Sequence, residues 1–205
     1  MFNTIDVDFF YGLGSRYSYL ASTRIAALEA DTACTVRWRP LKPGSLSRLR
    51  GASPFAGEPL SGQYEWPYRR YDAECWAEYY GVPYNEPADP TAVSSIPAIA
   101  CVAAGRFGKI VDFSHSMFRA HFVEGLSIDE EACVTRAEHL GLNATEFLAP
   151  FKDPVLEEQL EAEAREAHGR GAFGVPTFFA GERMFWGNDR LPLLRHLLLQ
   201  NGIVG

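Results

Sequence analysis

Several things are missing from this 205-residue chain, and each absence closes a route. No two of its four cysteines (Cys34, Cys75, Cys101, Cys133) are close enough to form a CxxC pair. Scattered thiols fit a reducing cytoplasm and buried side chains better than a disulfide framework. The five histidines do not cluster with the cysteines at ligand spacing, so no metal site is expected. There is no run of Lys and Arg, and the formal net charge is −7, so no phosphate-binding stripe for nucleic acid is expected. No segment approaches the roughly 18 apolar residues of a membrane span. The opening Met-Phe-Asn-Thr-Ile-Asp-Val-Asp lacks a basic start, and Asp6 and Asp8 interrupt any apolar run, which argues against a signal peptide. No internal repeat is visible.

What is present is ordinary globular composition, 47% hydrophobic and 22% charged, enough for one good-sized core. Ile5 to Tyr11 alternates and then turns wholly apolar, as a strand entering a core does. Gly12-Leu-Gly14 breaks it, and Ser15 follows as a helix N-cap. Tyr19, Leu20, Thr23, Ile25, Ala26 and Leu28 recur at helical spacing, and Val36 to Arg39 reads as a second strand. A short helical crossover between two strands implies a parallel pair. From about Lys42 to Tyr64, Gly, Pro and Ser predict a long loop.

From about Pro67 to His168 the pattern is helical. Arg70 to Tyr80 ends at Gly81, and Pro97 to Phe107 and Asp112 to Val123 follow. Ser127 with Glu130 forms a capping box for a helix to Leu140. Asp153-Pro154 starts a helix to Ala167, and its acidic run from Glu157 to Glu166 reads as a solvated face. Strand character returns at Pro176 to Ala180 and Arg183 to Trp186, and Arg190 to Gln200 closes as a helix. The order β-α-β, helical block, β-β-α predicts an α/β, thioredoxin-like fold with an inserted all-helical domain. Residues 1–41 and 169–205 form the first part, and residues 42–168 the loop and insert.

Two places in that order carry chemistry. Pro176, at a strand entrance after Val175, lies where thioredoxin-like folds hold a cis-proline, whose preceding backbone pairs with a peptide-like ligand. Ser15 lies where redox relatives place a reactive cysteine. Its hydroxyl stays protonated near neutral pH, so it can cap the helix or donate a hydrogen bond to another molecule's thiolate. Arg16 puts a cation in the first turn, against the helix dipole; it holds an anion, supports a thiolate, or points into water.

The chain resembles the 2-hydroxychromene-2-carboxylate isomerases and kappa-class glutathione transferases, cousins of the DsbA-like proteins. The resemblance rests on Val7 to Tyr11 running into Ser15-Arg16-Tyr17-Ser18-Tyr19-Leu20-Ala21, on Arg37-Trp38-Arg39-Pro40-Leu41, and on two C-terminal segments. Those are Gly171-Ala-Phe-Gly-Val-Pro-Thr-Phe-Phe179 and Phe185-Trp186-Gly187-Asn188-Asp189-Arg190-Leu191, the most specific part. It spans nearly the whole chain in order, and the helical insert matches only loosely.

The resemblance implies glutathione as cofactor, with Ser15 facing its sulfur and Val175 and Pro176 pairing with its backbone. Asn188 and Asp189 would hold its γ-glutamyl end, a carboxylate suiting an ammonium group; capping of the last helix is the other reading of Asp189. It also implies a small aromatic or unsaturated acid as substrate, and a homodimer, in the reducing cytoplasm that the scattered thiols indicate. Family members commonly carry Pro where this chain has Arg16. Many carry Lys before a Tyr in the loop leading to the insert; Tyr68 stands in its place here, with Arg69 or Arg70 as substitutes. Tyr64 and Trp66, in the predicted loop, are placed with Tyr68 and Arg16 as substrate-lining candidates, and Tyr68 is also placed with Trp76 and Tyr79 at core spacing. His115 and His121 read as ordinary helix residues, and Cys75 and Cys101 as buried small hydrophobes. A thiol–disulfide oxidoreductase lacks its cysteine near Ser15, and a non-catalytic peptide- or thiol-binding module is the remaining alternative.

Overall fold

The four strands line up in the order β2-β1-β3-β4, with the first segment of the chain in the middle of the sheet. The computed structural model describes residues 5–51, 66–88 and 93–201. Asp6–Tyr11 (β1) pairs in parallel with Thr35–Pro40 (β2), Val7 opposite Val36 and Phe9 opposite Trp38. On its other edge β1 pairs antiparallel with Thr177–Ala180 (β3), which pairs antiparallel with Arg183–Trp186 (β4). Two helices, Arg16–Ser22 (α1) and Ile25–Thr32 (α2), make the crossover from β1 to β2. Ser45–Arg50 (α3) and Trp66–Tyr80 (α4) follow β2. Ile96–Gly105 (α5), Ile110–Phe122 (α6), Glu130–His139 (α7), Ala144–Leu148 (α8) and Pro154–Gly169 (α9) come next. Leu191–Asn201 (α10) ends the described chain. The chain has the mixed α/β, thioredoxin-like fold that the element order predicts.

Strand alternation sorts β1 between two cores. Val7, Phe9 and Tyr11 point into the larger one, where Phe9 stacks on Phe178 at 4.7 Å and meets Trp38 edge-on at 5.0 Å. Phe10 points the other way, to Phe179, Leu46 and the small residues Ala164 and Ala167 of α9. Asp8 is buried and meets Arg170 at 2.7 Å, Arg37 at 2.9 Å and Arg39 at 3.3 Å. A buried carboxylate needs such compensation, because its desolvation alone costs several kcal/mol. Across the sheet, the Tyr11 hydroxyl meets Ser114 Oγ at 2.6 Å, tying β1 to α6.

Local chemistry explains where the helices depart from expectation. The single predicted helix after Ser15 is two, because Ser22 and Thr23 turn their hydroxyls back onto the carbonyls of Tyr19 and Leu20, both at 2.7 Å. The predicted loop after Lys42 contains α3, which buries Leu46. The α7 cap is Asp129, which accepts from Ala132 N at 2.9 Å, rather than Ser127. The acidic face of α9 is not simply solvated: Glu157 and Glu161 hold Lys42, while Glu163 and Glu166 hold Arg39. Cys101 is buried, but Cys75 is exposed, as are Tyr68 and Tyr79 on the outer side of α4. No helix among the described residues is long and apolar enough to cross a membrane.

Candidate functional site

A cavity of about 660 Å³ opens where three chain turns converge. The turn from β1 into α1 supplies Gly12 to Tyr17, the approach to β3 supplies Phe173 to Pro176, and the end of β4 supplies Trp186 to Arg190. The far wall is built from Leu41 to Ser47, from Arg69, Asp72 and Trp76 of α4, and from Val93.

Ser15 sits at the junction of these walls. Its backbone is extended, and its Oγ accepts from Ser18 N at 3.2 Å, so it caps α1. A hydroxyl has one proton and two lone pairs, and this bond uses a lone pair. The proton is left to donate to a second partner, so capping and thiolate binding are compatible at one atom. The chain turns tightly around Ser15: a Cβ on Gly14 would lie 2.8 Å from Val93 Cγ2.

The Val175–Pro176 peptide bond is cis. A Cβ on Gly12 would lie 3.3 Å from Val175, and one on Gly174 would lie 2.8 Å from Trp186 Nε1. The two glycines let Val175 and the Trp186 ring close onto the backbone. Gly187 N donates to Pro176 O at 2.9 Å, which locks the start of β3 to the end of β4. Asn188 is buried: its carbonyl accepts from the Tyr80 hydroxyl at 3.3 Å, and its Nδ2 donates to the same hydroxyl at 3.4 Å. Asp189 is open to the cavity mouth and meets Arg190 at 3.3 Å. Residues 188–190 form one turn of 3₁₀-helix before α10.

Arg16 does not point into water. It is buried at the cavity wall, with Nη2 3.0 Å from Glu86 Oε2. Glu86 also accepts from the Tyr84 hydroxyl at 2.7 Å, and burial followed by this bond drives the Tyr84 pKa far up. The carboxylate offsets the conflict between a cation and the positive end of a helix. Nothing near Arg16 in the sequence announces Glu86, which arrives from 70 positions away.

The α4 residues divide by helix face. Arg69, Asp72 and Trp76, at i, i+3 and i+7, face the cavity. Tyr68 does not line it; it is 48% exposed and packs against Tyr71. Arg70 faces outward and pairs with Glu74 at 3.1 Å. Of the two candidates for the missing lysine, Arg69 alone is at the cavity. Tyr64 lies outside the described residues, as does the side chain of Trp66, whose backbone opens α4. Among the described residues the aromatic lining comes instead from Tyr17, Trp76, Trp186 and Phe173, the last two 4.7 Å apart. Tyr17, which sequence reasoning passed over, donates from its hydroxyl to Asp72 Oδ2 at 2.8 Å. Lys42 was also missed: burial alone would lower its pKa, but the carboxylates of Glu157 and Glu161 raise it.

No cysteine lines the cavity. The model of the DsbA-like thioredoxin domain matches residues 6–199. The chain belongs to the DsbA-like thioredoxin domain family. Among curated proteins it is 30% identical over 190 residues to a 2-hydroxychromene-2-carboxylate isomerase from Pseudomonas putida, covering 92% of this chain and 91% of that one. It is 29% identical over 202 residues to the isomerase of the same name from Sphingobium xenophagum, covering 96% and 99%. A solved structure of a 2-hydroxychromene-2-carboxylate isomerase superposes with a TM-score of 0.83 at 28% identity, over 98% of this chain and all of that one. At the position where α1 opens onto the cavity this chain carries the hydroxyl of Ser15, so the cavity itself offers disulfide exchange no thiol nucleophile among the described residues.

Proposed function

We propose that this protein is a glutathione-dependent isomerase of unsaturated aromatic carboxylic acids; its curated relatives are named as isomerases of one such acid, 2-hydroxychromene-2-carboxylate. The observation that carries the reading is the Ser15 hydroxyl, seated in the cavity with a proton to donate and no cysteine in reach. The donor set fits glutathione at both ends: a hydroxyl donor suits a thiolate, and the open Asp189 carboxylate suits an ammonium group. Bound glutathione would supply the nucleophile, a thiolate that adds reversibly to a conjugated bond and leaves unchanged.

The chain's own part is binding, orientation and charge. Ser15 would hold the sulfur by its hydroxyl proton, stabilising the anionic form. The backbone of Val175, ahead of the cis-Pro176, would pair with the peptide-like middle of the ligand. Asn188, whose backbone carbonyl and Nδ2 both meet the Tyr80 hydroxyl, would contribute by fixing the turn that presents Asp189. Arg16, already neutralised by Glu86, would shape the wall rather than hold an anion. The apolar rings of Trp76 and Trp186 would exclude water from the acid.

Calorimetric titration with glutathione, followed by isomerisation of 2-hydroxychromene-2-carboxylate with and without it, tests this reading. Binding together with thiol-dependent turnover is expected. No binding at millimolar glutathione would overturn it in favour of a peptide-binding module. Reduction of insulin by the protein would contradict the cysteine argument.

A further inference from the structure

We propose that the buried pair of Arg16 and Glu86 tunes the sulfur site at Ser15: Arg16 favours the ionised thiol through space, without contact, and Glu86 behind it limits how strongly. This rests on the proposed function and deepens it, by naming the charges that set the reactivity of the borrowed nucleophile. Arg16 follows Ser15 directly, so their Cα atoms lie about 3.8 Å apart. Arg16 lines the cavity and Glu86 does not. The pair is therefore oriented, with the positively charged residue on the cavity side and its Nη2 3.0 Å from Glu86 Oε2.

The charges of an ion pair cancel only at points equally far from both members; elsewhere the nearer charge prevails. Two groups on the cavity wall show which charge that is. Burial is the first cause that lowers the Arg69 pKa; the charge of Arg16 comes next and lowers it further, and the opposing effect of Glu86 is smaller. Burial and then the Asp72 contact raise the Tyr17 pKa, and Arg16, after Arg69, opposes that rise. Toward both, the pair acts as a cation. Glu86 is fixed from other sides as well: the Tyr84 hydroxyl donates to Oε2 at 2.7 Å, and Arg70 lies 3.8 Å from Oε1. Its side chain is 1% exposed, so salt and water screen its charge little. A single charge about 10 Å from a thiol, at an effective dielectric constant of about 20, moves its ionisation by about one pH unit.

The test compares wild type with Glu86→Gln and with the double variant Arg16→Leu, Glu86→Leu, which keeps no charge at either position. Two thiols report on the site. One is that of bound glutathione, followed by thiolate absorbance against pH. The other is built into the protein by Ser15→Cys in each background; its alkylation by iodoacetamide against pH is read by mass spectrometry on the peptide carrying position 15. The other titratable or charged groups of the cavity wall, Tyr17, Lys42, Arg69, Asp72, Asp189 and Arg190, are the same in every comparison. Removing Glu86 alone should lower both thiol pKa values by about one pH unit. Removing the whole pair should raise them above wild type. The double variant leaves no buried charge unpaired, so it keeps the test readable if Glu86→Gln unfolds.

The inference is overturned if the thiol at position 15 ionises at the same pH in all backgrounds, or in the reverse order. It is also overturned if that thiol follows the expected order while the thiol of bound glutathione does not move. A wild-type protein that binds no glutathione, with the position-15 thiol in the expected order, sinks the proposed function and leaves the action of the pair on this site standing.

Discussion

Arg16 and Glu86 meet at 3.0 Å with their side chains only 3% and 1% exposed, a charge pair sealed beside the residue that caps α1. A buried pair is weak evidence for net stabilisation, since desolvation opposes the attraction. Removing one partner is a different matter, because the other is left charged and out of water.

Glu86→Gln is therefore expected to cost about 3–5 kcal/mol in urea unfolding. The double variant Arg16→Leu with Glu86→Leu should recover much of that loss, since neither charge remains. A single variant within about 0.5 kcal/mol of wild type would show that water or another anion reaches Arg16.

Gly187 should prove more than a flexible joint. Its φ is +106°, and a Cβ there would fall 2.3 Å from Asp189 Oδ1. Gly187→Ala then combines backbone strain, about 1–3 kcal/mol, with displacement of the Asp189 carboxylate. Gly141, at φ +79° with nothing within 4 Å of its Cβ, carries strain alone. Both alanine variants should lose stability, but only Gly187→Ala should weaken glutathione in calorimetry. Equal glutathione affinity in the two would remove Asp189 from the binding site.

The contrast between what the sequence disclosed and what it concealed follows the range of the interactions. β1 was legible because Val7, Phe9 and Tyr11 alternate against a second face, and the Ser15 cap because it depends on a bond to Ser18, three residues on. Asp153 at the start of α9 was legible for the same reason. Glu86 and Asp72 were not, because each is defined by a partner more than 50 residues away. Tyr68 was misplaced by phase: with α4 starting at Trp66, the cavity face carries 69, 72 and 76, one residue round from where the tyrosines suggested. The aromatic run concealed a polar wall.

His115 gives a pH dependence with a definite sign. It packs edge-on against Trp38 at 4.9 Å, and burial lowers its imidazole pKa while Asp112 partly opposes the shift. The unfolded chain takes up this proton near pH 6.5 and the folded chain only lower. The contribution is intact above about pH 6.5 and is lost as pH falls from there through the folded value. Urea unfolding at about pH 7.5 and 5.5 should show wild type losing more stability on acidification than His115→Phe. An equal loss in both would mean that the ring is reached by water.

Ser15 can be split into its two roles by choosing what replaces it. Ser15→Ala removes both the acceptor for Ser18 N and the hydroxyl proton, so it should lose about 1 kcal/mol of stability and raise the thiol pKa of bound glutathione. Ser15→Asp keeps the acceptor, since aspartate caps a helix as well as serine does, and its stability should stay close to wild type. At neutral pH, however, that carboxylate has no proton to give, and it adds a negative charge beside the sulfur. The thiol pKa should therefore rise further in Ser15→Asp than in Ser15→Ala, although the first is the more stable protein. Thiolate absorbance near 240 nm, titrated against pH on each complex, reads the order directly. If the pKa is the same in all three proteins while only Ser15→Ala is destabilised, Ser15 is a helix cap, and the sulfur is held by something else.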